Sequence, residues 1–374
     1  MQRWVRVDCP KNRHIRLTSP PGLRRCCICG RRGVAPWHRT RIKHLSILLA
    51  SGTAGVLIDP PVLLAPLAGI ADLPFRSLVA SFGAGLVVSE MVASQEVVQA
   101  RPLARARAGL GFDHAATSVQ IAGRDPYWMA EAAKYLQGQG ARVIDINMGC
   151  PAKKVTNGYA GSALMKDLDH ALTLIDAVVG AVSVPVTLKT RLGWDDGTRN
   201  AAVLARRAEA AGVRMVTIHG RTRCQFYGGA ADWAAIRDVT GAVQIPVIAN
   251  GDITDAPGAA RALALSGAAG VMIGRGAQGA PWRPAQIAAA LFGRPAPVVP
   301  RGAALADLVI GHYQAMLAFY GQELGVKVAR KHLGWYLHEA GLTALRGPVL
   351  TADSPAQVIR ALRAAFAEQD RAAA

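Results

Sequence analysis

The sequence predicts a (β/α)8 barrel followed by a C-terminal helical domain. Eight short apolar runs, each the length of a strand, alternate with helix-like stretches between residues 62 and 273. Polar residues or glycines follow these runs, where a barrel carries its functional groups, so a closed barrel is favoured over a doubly wound sheet. The runs are Val62–Ala65, Leu86–Ser89, Ser118–Ile121, Val143–Asn147, Val186–Lys189, Met215–His219, Val247–Asn250 and Gly270–Ile273.

Capping residues mark the helices between these runs. Asp72, Asp125 and Asp255 each stand just before a first helical turn that contains a proline, which is typical of a helix N-terminus. Gly83 and Gly140 stand where two of the helices should end. Each apolar run is therefore expected to pass into a helix through a short loop.

The composition narrows the class of protein. Of the 374 residues, 51% are hydrophobic and 18% are charged, which excludes a largely disordered chain. No apolar run reaches the roughly 20 residues of a membrane-spanning helix, so no membrane association is inferred. The net charge of +18 is concentrated in residues 1–44, and the remainder is modestly basic, which is compatible with a polyanionic partner. Beyond residue 44 the only cysteines are Cys150 and Cys224, which predicts a reducing, cytoplasmic compartment.

The N-terminal residues 1–44 show neither helical nor strand periodicity. We expect a basic extension that is disordered or translated from upstream of the natural start, although its many arginines also resemble a transit peptide. Cys26 and Cys29 form one C-x-x-C pair, but zinc sites usually need two such pairs, so no metal is predicted. Residues 45–58 predict a short hairpin that turns near Gly52–Gly55, rather than the apolar core of a signal peptide.

Glycine-rich loops follow the last two predicted strands. Asn250, Gly251 and Asp252 follow the seventh, and Gly274 and Arg275 follow the eighth. These two loops commonly bind phosphate in barrels, because glycines let backbone N–H groups approach it and an arginine adds a charge-assisted contact. The second loop also matches G-x-G-x-x-G, but the acid expected about 20 residues later in a dinucleotide fold is missing. A phosphorylated cofactor is the working hypothesis.

A flavin mononucleotide fits the other strand ends. Lys189, at the end of the fifth run, would stabilise the negative charge near N1 and O2 of the reduced ring, and Gln120 would hydrogen-bond the ring edge. Alternatively, Lys189 pairs with Glu90 or Asp145 as part of the fold. The ring would lie against small groups and backbone donors from Pro66, Leu67 and Ala68.

Cys150 is the candidate catalytic residue. It lies between Gly149 and Pro151 just after the fourth run, where a sharp loop would expose the thiol. Most free cysteines are small buried hydrophobes, but this position favours reactivity. A thiol is mostly protonated at neutral pH and can donate a proton. Cys224 lies farther from its strand end, and we expect no catalytic role for it.

Several segments closely resemble the bacterial tRNA-dihydrouridine synthases, especially their B-type subgroup. The likeness covers about residues 56–370 and leaves out residues 1–44. It departs at Leu67, where the family usually has Met, a harmless change if the backbone makes the contact. The matching segments are Ala65–Ile70, Asp145–Val155, Gly161–Leu164, Ile218–Arg223, Ala249–Ile253 and Ala329–His332.

The resemblance implies FMN as the prosthetic group, NADPH as the electron donor and tRNA as the substrate. It implies reduction of the C5=C6 bond of a D-loop uridine, at position 17 for this subgroup. Hydride would add to C6, and Cys150 would protonate C5 as the general acid. The base must be turned out of the stack to reach such a pocket. Further contacts implied are uracil with Asn147 and Arg191, the flavin or its phosphate with His219, and RNA with Lys153.

The C-terminal part predicts three helices, Leu305–Tyr320, Val326–Ala340 and Pro355–Glu368. On the second, basic residues cluster, and the resemblance favours tRNA phosphate contacts over an ordinary solvated face. The cluster consists of Lys327, Arg330, Lys331 and His332. The expected organisation is an extension of residues 1–44, a catalytic barrel of residues 45–300 and a tRNA-binding domain of residues 301–374.

Two other functions stay open. A flavin barrel could act on free pyrimidines, as dihydroorotate and dihydropyrimidine dehydrogenases do, but the basic helical part argues against it. A non-catalytic RNA-binding protein is the second, and it would have no need for Cys150, Lys189 or intact phosphate loops. No obligate protein partner is inferred.

Overall fold

The computed structural model describes residues 46–51, 54–101, 105–106, 108–109, 117–352 and 354–373. The expectations for residues 1–44, including those for Cys26 and Cys29, lie outside the described residues. Within the described residues, no helix combines the length and the apolar character needed to cross a bilayer.

Eight parallel strands close into a barrel, as predicted. Each barrel strand pairs with the next, and the last returns to the first. In chain order the strands are β1 (Ile47–Ser51), β2 (Ala54–Ile58), β3 (Val62–Leu64), β4 (Leu86–Val88), β5 (Val92–Ala93), β6 (Thr117–Ala122), β7 (Ile144–Met148), β8 (Val186–Arg191), β9 (Met215–His219), β10 (Val247–Asn250) and β11 (Gly270–Ile273). Strands β3, β4 and β6 to β11 form the barrel, and β4 pairs directly with β6. The sequence analysis missed β5, which pairs with β6 but is too short to show periodicity.

Helices surround the barrel. In the described part they are α1 (Leu73–Ser81), α2 (Ser94–Val98), α3 (Pro126–Gly138), α4 (Lys153–Thr156), α5 (Leu168–Ala181), α6 (Ala201–Ala210), α7 (Arg237–Thr240), α8 (Ala256–Ser266), α9 (Arg283–Phe292), α10 (Gly302–Tyr320), α11 (Gln322–Glu339), α12 (Arg346–Leu350) and α13 (Pro355–Ala373). The three predicted caps are confirmed: carboxylates of Asp72, Asp125 and Asp255 accept backbone N–H groups in the first turns of α1, α3 and α8.

An antiparallel hairpin closes the N-terminal end of the barrel. Its strands β1 and β2 pair as predicted, and their side chains alternate between buried and exposed. Ile47, Leu49, Val56 and Ile58 pack in one cluster with residues from the beginnings of the barrel strands, such as Leu63. The hairpin therefore packs against the interior of the barrel.

The C-terminal helices have their own hydrophobic cluster. It contains Tyr313 of α10, Tyr336 of α11 and Phe366 of α13, and it reaches Trp282 beside the barrel. At Gly279, after β11, a Cβ atom would lie 2.5 Å from the carbonyl oxygen of Trp335, so only glycine permits this approach to α11. The barrel rim and the C-terminal helices thus touch through backbone. The domain boundary at residue 300 stays a prediction.

The hairpin gives a test of the core. Leu49 is fully buried, whereas its neighbour Leu48 is 63% exposed. We expect Leu49→Ala to lower the free energy of unfolding by about 2–5 kcal/mol, because it leaves a cavity. The control Leu48→Ala should cost less than about 0.5 kcal/mol. Urea denaturation measures both, and equal losses would contradict a hairpin that belongs to the barrel core.

Candidate active site

The loop that carries Cys150 leaves β7 at the C-terminal rim of the barrel. Asn147 Oδ1 accepts the backbone N–H groups of Gly149 (3.1 Å) and Cys150 (2.9 Å). On the far side, the carbonyl of Cys150 accepts the hydroxyl of Ser162 at 2.8 Å and its backbone N–H at 3.1 Å. Cys150 itself is partly exposed. The backbone around this cysteine is therefore held on both sides while the residue keeps access to the rim.

Behind this loop runs a buried chain of side-chain hydrogen bonds. Asn147 Nδ2 donates to Gln120 Oε1 at 2.7 Å, and Gln120 Nε2 donates to Asp145 Oδ2 at 2.6 Å. The hydroxyl of Thr187 donates to the other oxygen of Asp145 at 2.6 Å. Gln120, expected at the edge of a flavin, has protein partners at both ends of its amide and is fully buried. Its contact with a cofactor stays a prediction.

Lys189 lies at the mouth of the barrel and donates to Asn250 Oδ1 at 3.1 Å. Asn250 in turn donates from Nδ2 to the carbonyl of Met272 at 2.8 Å, which joins β8, β10 and β11. Burial, and then the charge of Arg191, lower the pKa of Lys189 from 10.5 to about 8, while Asp145 opposes the shift. The direct partner of this lysine is thus an amide, and the carboxylate of Asp145 acts on it through space.

His219, at the end of β9, is surrounded by positive charge. Burial, and then the charges of four cationic side chains, lower its pKa from 6.5 to about 2, so the imidazole is neutral. These are the side chains of Lys189, Arg191, Arg221 and Arg275. Nε2 of His219 lies 3.3 Å from Nη1 of Arg221 and accepts there, because a guanidinium only donates. Such a concentration of cations favours an anionic ligand.

Asp252, in the loop after β10, binds two arginines, Arg221 of the loop after β9 and Arg275 of the loop after β11. Buried Arg221 donates to both of its oxygens, at 3.0 and 2.5 Å, and Arg275 donates to Oδ1 at 3.1 Å. Burial alone would raise the pKa of Asp252, but the bonds from Arg221 and Ala231 and the charge of Arg275 outweigh it and lower the pKa. Arg275 is 57% exposed, so its other N–H groups are open to a ligand.

The sequence analysis did not assign Arg221 to the site. The sequence position could have identified it, since Arg221 follows His219 by two residues at the end of a barrel strand. The adjacent Gly251 explains how the loops come so close. Its φ is +114°, and a Cβ atom there would lie 2.9 Å from Cδ2 of His219. Glycine is therefore required for packing as well as for any approach of backbone to phosphate.

Arg191 was expected at the uracil edge and lies behind the cysteine loop. Its Nε donates to the carbonyl of Gly149 at 2.8 Å, and Nη1 donates to those of Thr222 (3.0 Å) and Phe226 (2.9 Å). The guanidinium therefore ties the loop after β7 to the loop after β9. The ring of Tyr227 lies 5.6 Å from its guanidinium carbon. A contact of Arg191 with uracil stays a prediction.

The loop of Pro66, Leu67 and Ala68 borders the loop after β11. A Cβ atom on Gly274 would lie 3.7 Å from Cδ2 of Leu67, which is ordinary contact. The N–H of Gly69 donates to the carboxylate of Glu90 and anchors the loop. The structure thus brings the expected cofactor residues at the ends of β3, β8, β9, β10 and β11 to one rim.

Helix α11 places Lys331, an expected RNA contact, at this rim, whereas His332 of the same helix points into the protein. Nζ of Lys331 would lie 3.7 Å from a Cβ atom at Gly69, next to the first rim loop. Arg330 is exposed on the same helix, and Lys153 is exposed on α4. His332 does not belong to this basic face, which corrects the sequence grouping. Consecutive helical residues point about 100° apart, so His332 is buried against Phe75 while its basic neighbours are exposed. Burial lowers the pKa of His332 to about 4.

A closed parallel barrel with its polar side chains gathered at the C-terminal strand ends defines a (β/α)8-barrel enzyme. Residues 63–368 match the family model described as dihydrouridine synthase (Dus). The chain belongs to this family, which confirms the resemblance and the prediction of an enzyme.

Curated relatives cover most of the chain. A probable tRNA-dihydrouridine synthase of Rhodobacter capsulatus is 62% identical over 316 residues, which are 84% of this chain and 97% of that protein. One of Rhizobium leguminosarum is 53% identical, over 79% and 92% of the two chains. The tRNA-dihydrouridine synthase B of Xanthomonas axonopodis is 48% identical, over 80% and 90%. Histamine dehydrogenase from Rhizobium sp. 4-9 shares the fold, with a TM-score of 0.51 and 12% identity over 72% of this chain and 51% of that chain.

The two arginines on Asp252 should differ sharply in their effect on stability. Arg221→Ala removes a buried partner and leaves the carbonyls of Gly228 and Gly229 without their donor, so we expect a loss of about 3–5 kcal/mol. Arg275→Ala removes an exposed partner of the same carboxylate and should cost less than about 1 kcal/mol. Urea denaturation compares them. A larger loss for Arg275→Ala would contradict this assignment of the buried and exposed partners.

Proposed function

We propose that this protein reduces the C5=C6 bond of a uridine in the D-loop of tRNA, at position 17, to dihydrouridine. FMN would be the prosthetic group, NADPH the electron donor, and the cytoplasm the compartment. The observation that carries the proposal is the convergence of Lys189, Arg221 and Arg275 on neutral His219, at the rim that also carries Cys150. The relatives named tRNA-dihydrouridine synthases support the reaction and the substrate.

The donor set fits a flavin phosphate. Arg275 is exposed and retains unused N–H groups, and Gly274 beside it has no Cβ atom to block a ligand. Lys189, protonated below about pH 8, would stabilise negative charge on the ring. Bound FMN would supply the hydride for C6, having received it from NADPH. The cofactor residues proposed are Pro66, Leu67, Ala68, Gln120, Lys189, His219, Asn250, Gly251, Asp252, Gly274 and Arg275.

Cys150 would supply the proton. A general acid must lie within hydrogen-bond reach of the atom that it protonates, so the position of its backbone matters. Asn147 holds the N–H groups of Gly149 and Cys150, and Arg191 holds the carbonyl of Gly149. We assign Asn147 and Arg191 to the uracil edge as well. Their bonds to the loop would keep them in fixed positions relative to the thiol.

Exposed cations near the rim would bind the tRNA backbone. Lys331 lies beside Gly69, Lys153 follows the cysteine loop, and Arg330 is exposed on α11. Phosphate contacts of this kind orient a nucleic acid without reading its sequence. A free pyrimidine would use none of them, so their position favours tRNA over a free base. The helices of residues 301–374 are accordingly the proposed tRNA-binding domain.

The proposed function is tested with purified protein, NADPH and tRNA that lacks dihydrouridine. We expect bound FMN and the appearance of dihydrouridine at one D-loop position, mapped by mass spectrometry. Free uridine is the control and should react far more slowly. Equal rates on free uridine and on tRNA would overturn the substrate class, and a protein that binds no flavin would overturn the chemistry.

Cys150→Ala should retain its flavin and lose uridine reduction. Removal of a general acid typically costs about 10²- to 10⁴-fold in rate. The measurement is single-turnover oxidation of the reduced protein by tRNA. Cys224→Ala is the matched control, because Cys224 is exposed and no role is assigned to it. A Cys150→Ala variant that reacts at the wild-type rate would remove this residue from the mechanism.

Arg275→Ala should weaken FMN retention more than tRNA affinity. A lost charge-assisted hydrogen bond costs about 1.5–3 kcal/mol, or roughly ten- to hundredfold in affinity. The flavin-to-protein ratio after gel filtration measures retention. Lys327→Ala removes an exposed cation on α11 that pairs with Glu323, and it should leave the ratio unchanged. If Arg275→Ala keeps its flavin while tRNA binding collapses, this loop binds the RNA instead.

A further inference from the structure

We propose that Asp145 is a positioning residue that secures the Gln120–Asn147 amide chain in one direction from its buried end, and thereby helps to hold the loop of Cys150. The part of this inference that concerns proton donation rests on the proposed function. The part that concerns the loop rests on the hydrogen bonds alone. Asp145 does not touch the cysteine and would reach its loop through the two amides, while its charge also acts on Lys189 through space.

The chain crosses three neighbouring barrel strands. Asp145 lies on β7, accepts Thr187 of β8 at one oxygen and accepts Gln120 of β6 at the other, each at 2.6 Å. Gln120 then accepts Asn147, and Asn147 accepts the two N–H groups of the loop. Asp145, Gln120 and Asn147 are all buried, so water does not compete for these bonds.

The two ends of the chain fix its direction. An amide has nearly the same shape in both orientations, and only its partners decide which atom is the oxygen. The carboxylate of Asp145 accepts only, so Gln120 must turn its NH2 group toward it and its oxygen toward Asn147. Asn147 must then turn its NH2 group toward Gln120 and its oxygen toward the loop. Backbone N–H groups donate only, so the loop end requires the same orientation.

A reversed chain would release the loop. If Gln120 presented its oxygen to residue 145, its NH2 group would face Asn147, and Asn147 would turn its own NH2 group toward the N–H groups of Gly149 and Cys150. Two donors cannot bond, and a buried donor without an acceptor is costly. Burial raises the pKa of Asp145 overall, and the bonds from Thr187 and Gln120 and the charge of Lys189, which favour its acceptor form, limit that rise.

This logic predicts an unusual pattern among variants. Asp145→Asn places one NH2 group in the chain, but the hydroxyl of Thr187 can accept it, so Gln120 keeps its direction. Thr187→Val removes a bond from Asp145 that does not set the direction. The double variant lacks both the acceptor-only carboxylate and the hydroxyl at residue 187. The NH2 group of the asparagine then has no acceptor except Gln120, and a bond there competes with the orientation that the loop requires. Each single change should therefore cost little, and the two together should cost much.

The experiment compares the flavin-loaded wild type, both single variants, the double variant and a control double, Asp145→Asn with Thr187→Ser. The first readout is the rate at which iodoacetamide alkylates Cys150, followed by peptide mass spectrometry, with Cys224 as the internal reference. The second is kcat and KM on tRNA. We expect losses of at most about threefold in kcat for each single variant and for the serine control. For the double variant we expect a loss of about ten- to hundredfold in kcat and a changed alkylation rate at Cys150 only.

Three results would overturn the inference. Asp145→Asn alone could be as damaging as the double variant, which would assign the effect to negative charge. The double variant could lose only the product of the two single losses. Alkylation of Cys150 could stay at the wild-type rate in every variant. The alkylation readout is independent of uridine reduction, so it decides the loop inference even if wild-type protein does not modify tRNA. If the double variant does not fold, Asp145→Ala replaces it, with the same expected change at Cys150.

Discussion

Closure of the barrel forces the last residues of eight parallel strands into one ring, and each polar side chain in that ring must find a partner there. A closed barrel leaves no free strand edge, and the side chains of its parallel strands are buried on both faces. Lys189 is consequently bonded to Asn250 across the mouth, and Arg221 is bonded to Asp252. The positions of the rim loops follow from these bonds, so the candidate site depends on closure before it depends on any single loop.

The same ring produces the electrostatic character of the site. Burial and the surrounding cations lower the pKa of His219 to about 2, so the imidazole is neutral. A neutral imidazole among cations can accept a hydrogen bond, as it does from Arg221. An anionic ligand would supply the missing negative charge. The charge of the rim therefore favours an anionic ligand through several cations together rather than through one residue.

Elements with a local sequence pattern could be predicted from the sequence, whereas side-chain positions that depend on contacts between distant residues could not. The strand runs and the aspartate caps were correct because each is a local pattern of neighbouring residues. The two residues of β5 carry no period, so no local pattern could identify them. His332 was grouped with its basic neighbours because spacing does not show that its side chain turns toward Phe75. The contact of Lys331 with the Gly69 loop likewise needs the packing of α11 on the rim.

The polar residues of the rim illustrate a more general difficulty. Asparagine, glutamine and arginine at barrel strand ends are read as ligand contacts, because that face carries the chemistry in barrels. In this structure Gln120, Asn147 and Arg191 all form hydrogen bonds with other groups of the protein. Their bonds lead to the backbone on both sides of Gly149. A general acid gains from a fixed position, since misplacement by about 1 Å can cost a hundredfold in rate. The residues that sequence reasoning assigns to the cofactor (Gln120) and to the substrate (Asn147 and Arg191) are therefore also those that hold the loop of the proposed proton donor.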